Sequence, residues 1–358
     1  MRIHDQYVLR FFLKVLFLCS LSFVVVFVLA DLFEKMDDFI DYQANVSSIA
    51  RLYLYKVPDI VRLTLPVDLL LATIFTLGIL AKNNEIVALL ASGVGMLRLA
   101  APILGIALLL VAASTLLSEF VVPRTNARMF EVQRVRIEKR PPLDAPVRHD
   151  FSYRGQSGYV YYVRTFNVET QRLLGVVVHQ YHAGHLVARL DAESAEWRDD
   201  HWEFARGFYR TFTASGEHAR PFHTMRLPDL AETPTELARI EPEPEAMTYR
   251  QLQAYVDKVR SSGGKVNNYL VQLYAKISDP LTNLVLALLG IGLAATKRKT
   301  SLATGFGLTL TVAFAYLATS EFGAALGHNE TIPPLLAAWI GPLLFGTAGL
   351  LLLVRVNR

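Results

Sequence analysis

The sequence predicts an α-helical membrane protein: six transmembrane helices in a 3+3 arrangement, with an all-β domain of sandwich, jelly-roll or open-barrel type inserted between the halves. Three observations point there. Hydrophobic residues make up 52% of the 358 and charged residues only 19%, with a mean hydropathy of +0.31. That is too apolar for an ordinary soluble protein and too polar for a helical bundle alone. Six apolar segments long enough to span fall in two groups of three. The hydrophilic stretch between the groups is patterned like β-structure.

Residues 1–10 are polar and basic. Residues 11–33 form the first apolar segment, too long for a signal-peptide core and without a small-residue cleavage site, so it reads as a retained anchor. An acidic exit follows, Asp31 to Asp38. The second segment covers 57–81 and the third 99–121, ending at Pro123. After the hydrophilic region come segments at 271–296, 302–326 and 332–354, separated by Lys297-Arg298-Lys299-Thr300 and by Gly327 to Pro334. The domains expected are therefore 1–123, with a short helix near 83–92; 124–247, the β domain; 248–265, a connecting helix and linker; and 266–358.

Orientation follows from the basic residues beside the short loops. Lys82 and Arg98 flank the loop after span two, and Lys297, Arg298 and Lys299 follow span four. Arg2 and Arg10 precede span one, and Arg355 and Arg358 follow span six. The gaps after spans one and five are acidic or neutral. Both termini are thus expected in the cytoplasm and the large insert on the far side, since long loops translocate whatever their charge.

Within the insert, Gly158–Phe166, Leu174–His179, His185–Leu190 and Trp202–Arg206 are rich in β-branched and aromatic residues. Turn signals separate them at Arg154-Gly155-Gln156, Ala183-Gly184, Asp199-Asp200 and Ser215-Gly216. Glu241–Glu245 is a Pro/Glu linker. Thr248-Tyr249-Arg250-Gln251 then offers a capping box for a helix ending before Ser261–Gly264.

The chemistry is bounded by what is missing. There is no GxxxxGK[ST] loop, HExxH, GxSxG or Cys/His metal spacing. The chain is therefore not expected to be an enzyme or to hold a metal or cofactor, and energy for any transport would come from another polypeptide. Cys19 is the single cysteine, so no intrachain disulfide can form. The formal charge of +4 suits basic membrane flanks better than a nucleic-acid surface. His179, His182 and His185 read as a solvated hairpin, because no carboxylate or Cys is fixed beside them. Lys14, Asp59, Arg62, Asp68, Glu119, Lys276, Asp279 and Glu321 lie in or near the spans. Most are near boundaries, where long side chains snorkel. Asp59, Arg62 and Asp68 are placed on a projecting part of span two, with Asp59 and Arg62 spaced to pair. No chain of carboxylates recurs at mid-depth, so a proton relay is not expected.

Two stretches carry candidate function. Arg124, Arg128, Arg134, Arg136, Lys139 and Arg140 cluster just beyond the third span, with Lys35 near the same interface. They read either as a solvated basic helix or as a site for anionic lipid phosphates, which guanidinium forks suit. Lys82 to Arg98 is the other stretch. Its centre, Glu85 to Ala91, reads as a short amphipathic helix stopped at Ser92-Gly93. Pinned between two spans on the basic side, it is placed to pass force from a soluble partner to both. Glu85 suits the first helical turn through the macrodipole, and its carboxylate can also pair with a partner's Arg or Lys.

These residues resemble the lipopolysaccharide export permease family, the LptF/LptG type, over nearly the whole chain. The carriers are Asp5–Arg10, Leu65-Pro66, Leu77–Glu85 running into Ala91-Ser92-Gly93, Glu119–Pro123, Tyr255 with Ser261–Gly263, and Ile332-Pro333-Pro334. The Glu-then-Ala-Ser-Gly element is the most specific. The Ser261 segment and the Ile-Pro-Pro resemble the LptG branch more than the LptF branch.

The resemblance implies a membrane subunit of an ABC exporter in the bacterial inner membrane, pairing as an LptF–LptG heterodimer with a dimer of the ATPase LptB, which binds the ATP. It implies extraction of lipopolysaccharide and relay of its acyl chains through periplasmic jelly-roll modules to LptC and LptA. The element holding Asn84, Glu85, Ala91, Ser92 and Gly93 matches the helix that couples to the ATPase. For lipid phosphate the candidates are Lys35, Arg128, Arg134 and Arg136. Where LptG members can carry basic residues after span one, this chain has Glu34-Lys35-Met36-Asp37-Asp38, leaving only Lys35 there.

Overall fold

A computed structural model describes residues 3–139, 146–155, 158–182, 185–213, 216–227, 230, 232–238, 244–261, 265–296 and 302–356. The loop at 297–300, most of the 241–245 linker and the turn residues 156, 183, 184, 215 and 262–264 lie outside them. The chain forms two compact units. One holds residues 1–138, 244–249 and 267–358; the other holds 139–243 and 250–266.

The first unit is helical. Its N-terminal part contains α1 (Ile3–Glu34), α2 (Met36–Asp41), α3 (Val46–Lys82), α4 (Glu85–Ala91), α5 (Met96–Leu116) and α6 (Val122–Glu131). Among the described residues six helices are long and apolar enough to cross a membrane: Asp5–Glu34, Val46–Lys82, Met96–Ile137, Asn267–Ala295, Ala303–His328 and Pro334–Arg355. Two of these, the second and the third, outrun the expected spans most. α3 begins at Val46, where the Asn45 side chain accepts a hydrogen bond from the Ser47 N–H and caps the helix. Its 37 residues make a rod of about 55 Å against a hydrocarbon core of about 30 Å.

The third span, expected to stop at Pro123, continues to Ile137. Leu117–Val121 forms a π-helical turn immediately before the proline, and a second π segment, Val132–Ile137, follows α6. A proline in a regular helix removes one ladder bond and clashes with the preceding turn. The wider turn upstream accommodates that defect, as π-bulges do at irregular points of long helices.

α3 is the axis of this unit. Leu69, Leu70, Ala72, Ile74, Leu77 and Leu80 are buried. Phe12 and Leu16 of α1 and Ile103 and Ala107 of α5 pack in the same cluster as Leu69 and Ala72. The C-terminal helices are α9 (Asn267–Thr296), α10 (Leu302–His328) and α11 (Pro334–Val356). Gly290 of α9 lets that helix approach α3 closely, because a Cβ there would meet the Thr73 side chain at 3.1 Å. By contrast α1 and α10 present wide exposed apolar faces, including Phe17, Leu18, Phe314 and Phe322.

The second unit carries an antiparallel sheet: β1 (Val147–Arg154), β2 (Tyr159–Asn167), β3 (Arg172–His182), β4 (His185–Arg198), β5 (His201–Thr213) and β6 (Gly216–Arg226). The strands lie in sequence order, each paired with its neighbour. Both edge strands were missing from the sequence reading; β3, β4 and β5 are longer than expected, and β2 has its expected length of nine residues, shifted by one.

A single line of irregularity explains much of that. Asp150, Arg164, Gly175, Glu193, Arg206 and His223 face one another across the six strands, and each is skipped by the pairing ladder. Asp150, Gly175 and Arg206, on alternate strands, have positive φ. Along this line the side-chain phase slips, so Val163 and Phe166, Leu173 and Val176, and Ala192 and Ala195 are all buried three residues apart. Such slips bend a sheet while keeping its apolar residues on one side.

That side is filled by Tyr161, Phe166, Trp202 and Phe204 and closed by Leu230 and Leu237, the latter on α7 (Pro234–Ala238). Arg148 donates to the Leu237 carbonyl. α8 (Tyr249–Ser261) buries Leu252, Val256 and Val259 at helical spacing. The Lys258 ammonium lies 4.5 Å above the Tyr153 ring.

Candidate functional site

α4 is set off at both ends by backbone geometry. Asn84, its N-cap, is left-handed at φ 60 and ψ 12, a conformation that asparagine tolerates better than most residues. Asn83 Nδ2 donates to Glu85 Oε1 across 3.1 Å, holding the carboxylate in the first turn. At the other end the Gly93 N–H bonds to the Leu90 carbonyl and the Val94 N–H to the Leu89 carbonyl. Gly93 has φ +85. This is a Schellman ending, and the Ala91-Ser92-Gly93 triplet encodes it. Ser92 Oγ adds a 2.7 Å bond to the Leu89 carbonyl.

The two faces of α4 differ. Ile86 and Leu89, three apart, pack with Met96 against the main helical cluster. Val87 and Leu90 point away, 59% and 45% exposed. No residue of the helix is fully buried. A seven-residue helix that leaves aliphatic side chains outward has an unfilled apolar face on a connection between two spans.

The basic residues separate into three environments. Arg128 and Arg136 line a cavity of about 280 Å³ together with Arg51, Tyr55, Glu131, Val132 and Val135. Arg128 is bonded to Glu131 at 3.0 Å, so the lining sets three guanidinium groups against one carboxylate, which Arg128 engages. Lys35 is elsewhere. Its ammonium sits 3.4 Å from Asp31, which also binds Lys56 at 2.6 Å and the Tyr53 hydroxyl at 2.9 Å. Arg134 does not line the cavity. Sequence reasoning missed Arg51 because it began span two at residue 57. The signal was the Asn45 cap, which starts the helix early and puts Arg51 and Tyr55 one turn apart on it.

Asp59 and Arg62 pair at 2.9 Å as their spacing suggested, and Arg62 also reaches Asp279 of α9 at 3.8 Å. His182 and His185 face one another across the β3–β4 hairpin. His179 instead packs its ring on Tyr162 and Tyr181, with centroids 5.1 and 6.1 Å away. Among the described residues no group of three His, Cys, Asp or Glu is arranged to hold a metal.

The family model described as lipopolysaccharide export system permease LptF/LptG matches residues 6–355. The lipopolysaccharide export system permease protein LptG of Escherichia coli K12 is 25% identical over 319 residues, covering 84% of each chain. LptG of Escherichia coli O6:H1 matches to the same extent. With its six apolar helices and inserted antiparallel sheet, the chain belongs to the LptF/LptG family of lipopolysaccharide export system permeases.

Proposed function

We propose that this chain is the lipid-handling membrane subunit of an ABC exporter, driven by a separate ATPase, that extracts lipopolysaccharide from the inner membrane and passes it to a periplasmic β-jelly-roll bridge. Family membership makes it a multi-pass inner-membrane permease subunit with a role in lipopolysaccharide export. The remainder is our reading. The partners are an LptB-type ATPase dimer that binds the ATP, an LptF-type permease, and LptC and LptA. Both termini and α4 face the cytoplasm, and the β domain is periplasmic. Spans one and five, α1 and α10, line the lipid cavity with the exposed apolar faces they carry.

The observation that supports this reading best is α4. A capped, rigid helix on a short connection between α3 and α5 offers Val87 and Leu90 to a partner's groove and Glu85 to a partner's cation. Nucleotide-driven movement of that partner then reaches both spans. Arg51, Arg128 and Arg136 form the anion site for lipid phosphate beside the bundle. Lys35 is tied to Asp31, whose bonds to Lys56 and Tyr53 of α3 order the α1–α3 contact.

Co-purification from membranes tests the proposal. The wild-type chain should bring an ATPase whose turnover responds to lipopolysaccharide, and Glu85→Arg should lose both the ATPase and export while remaining in the membrane. A chain that binds an envelope ligand through its β domain and never recovers an ATPase would instead be a membrane-anchored sensor or scaffold.

A further inference from the structure

Asp68 is fully buried in the middle of α3, inside the helical unit. The Thr64 hydroxyl donates to its Oδ2 across 3.2 Å. Oδ1 has no hydrogen-bond partner within the protein. The facing helix α1 brings Cys19 and the Ser20 hydroxyl beside the carboxyl. Apolar side chains pack around the adjacent Leu69 and Ala72: Phe12 and Leu16 from α1, Ile103 from α5 and Ala287 from α9. Among the described residues no cation acts on Asp68 from any of these helices. Arg62, the cation nearest to it in sequence on its own helix, is held by Asp59 and Asp279. Lys14 of α1 is exposed.

A bare carboxylate cannot be sustained there. Charges within a membrane interior are paired, hydrated or neutralised, and Asp68 has neither an ionic partner nor solvent. Its one open oxygen is where a proton completes the hydrogen-bonding inventory of a carboxylic acid.

We propose that Asp68 is an intramembrane proton-binding site, occupied while α1 and α3 are packed together. The proton sits on Oδ1 and neutralises the carboxyl buried at this point of the helix contact. Its departure leaves a charge that needs water, so proton loss and separation of α1 from α3 are coupled. This holds whichever lipid the permease carries.

Infrared spectroscopy of the full chain in lipid nanodiscs, at neutral pH, tests the site. The wild type should show a protonated-carboxyl carbonyl band that Asp68→Asn removes and Glu321→Gln leaves in place. Asparagine keeps the shape and neutrality of the acid, so the variant should retain wild-type thermal stability. Carbodiimide, which adds to protonated carboxyls, should label Asp68 and should not label the variant at that position. A protonated-carboxyl band that persists undiminished in Asp68→Asn, or no such band in the wild type, would overturn the proposal.

Discussion

The Tyr161 hydroxyl donates a 2.6 Å hydrogen bond to Oε2 of Glu232, 71 residues later in the chain and buried with it. Trp202 Nε1 donates to the Glu232 backbone carbonyl at 2.7 Å, so one residue anchors the segment that closes the sheet's apolar side. Gly155 makes room for it, because a Cβ at that position would overlap the Glu232 carboxylate. Gly155→Ala should cost about 1–3 kcal/mol as overpacking against an immobile group. Tyr161→Phe should cost about 1–3 kcal/mol for the bond lost to a buried carboxylate. Unfolding of the full chain followed by Trp fluorescence checks both. Wild-type midpoints in the two variants would mean the segment is not anchored there.

The shared cavity makes a second prediction about which basic residues bind an anionic amphiphile. A charge-assisted hydrogen bond contributes about 1.5–3 kcal/mol, and about 1.4 kcal/mol is tenfold in affinity. Arg51→Ala or Arg136→Ala should therefore weaken binding of a bis-phosphorylated lipid about tenfold or more. Lys35→Ala should change it by less than about twofold, since Asp31 already holds that ammonium. Titration of the detergent-solubilised chain with the lipid measures this. A larger loss in Lys35→Ala than in Arg51→Ala would place the site at the end of α1.

What the sequence showed depended on whether a pattern was local. Apolar spans and the α4 cap are set within a few residues, so the six membrane helices and the Ala91-Ser92-Gly93 stop were legible. The run through Pro123 was not, because a proline's cost was offset by a π turn that no residue type announces. The sheet was half legible for a related reason. The line from Asp150 to His223 shifts the alternation within every strand, so a two-residue period read along one strand breaks where neighbouring strands agree. Asp68 reads from sequence as a polar residue on a projecting segment, and only the packing of α1 against α3 buries it. Arg51 joins Arg128 and Arg136 from far along the chain, a convergence no spacing rule contains.

The outward face of α4 yields a third prediction. Val87 and Leu90 touch no core of their own chain, so replacing either by Asp should leave the fold intact, within about 0.5 kcal/mol. The same change should abolish ATPase co-purification, because a carboxylate would be buried without a partner at the contact. Ile86→Asp, on the packed face, should instead destabilise the helical unit. Thermal stability and co-purification measured on the three variants separate the faces. Normal ATPase recovery with Leu90→Asp would show that this face is not the contact.

His179 gives the β unit a pH dependence with a definite sign. Burial, then the Arg189 guanidinium opposite it, hold its imidazole below the ordinary value of 6.5, against a weaker pull from Asp191. Its Nδ1 is buried without a hydrogen-bond partner in the protein. In the unfolded chain the ring takes up a proton near its ordinary value, whereas the folded unit resists until the pH is lower. Between those points the unfolded state binds more protons, so stability is complete above the ordinary value and falls as pH descends through the window. Carboxylates contribute a decline of their own on acidification, and the wild type must therefore be compared with a variant. Replacing His179 by Gln removes the titration and keeps a polar side chain beside Tyr162. The thermal midpoint of the variant's β unit should fall less than that of the wild type between about pH 7 and about pH 5. Equal declines in the two proteins would show that the imidazole is as free to charge in the fold as in the unfolded chain.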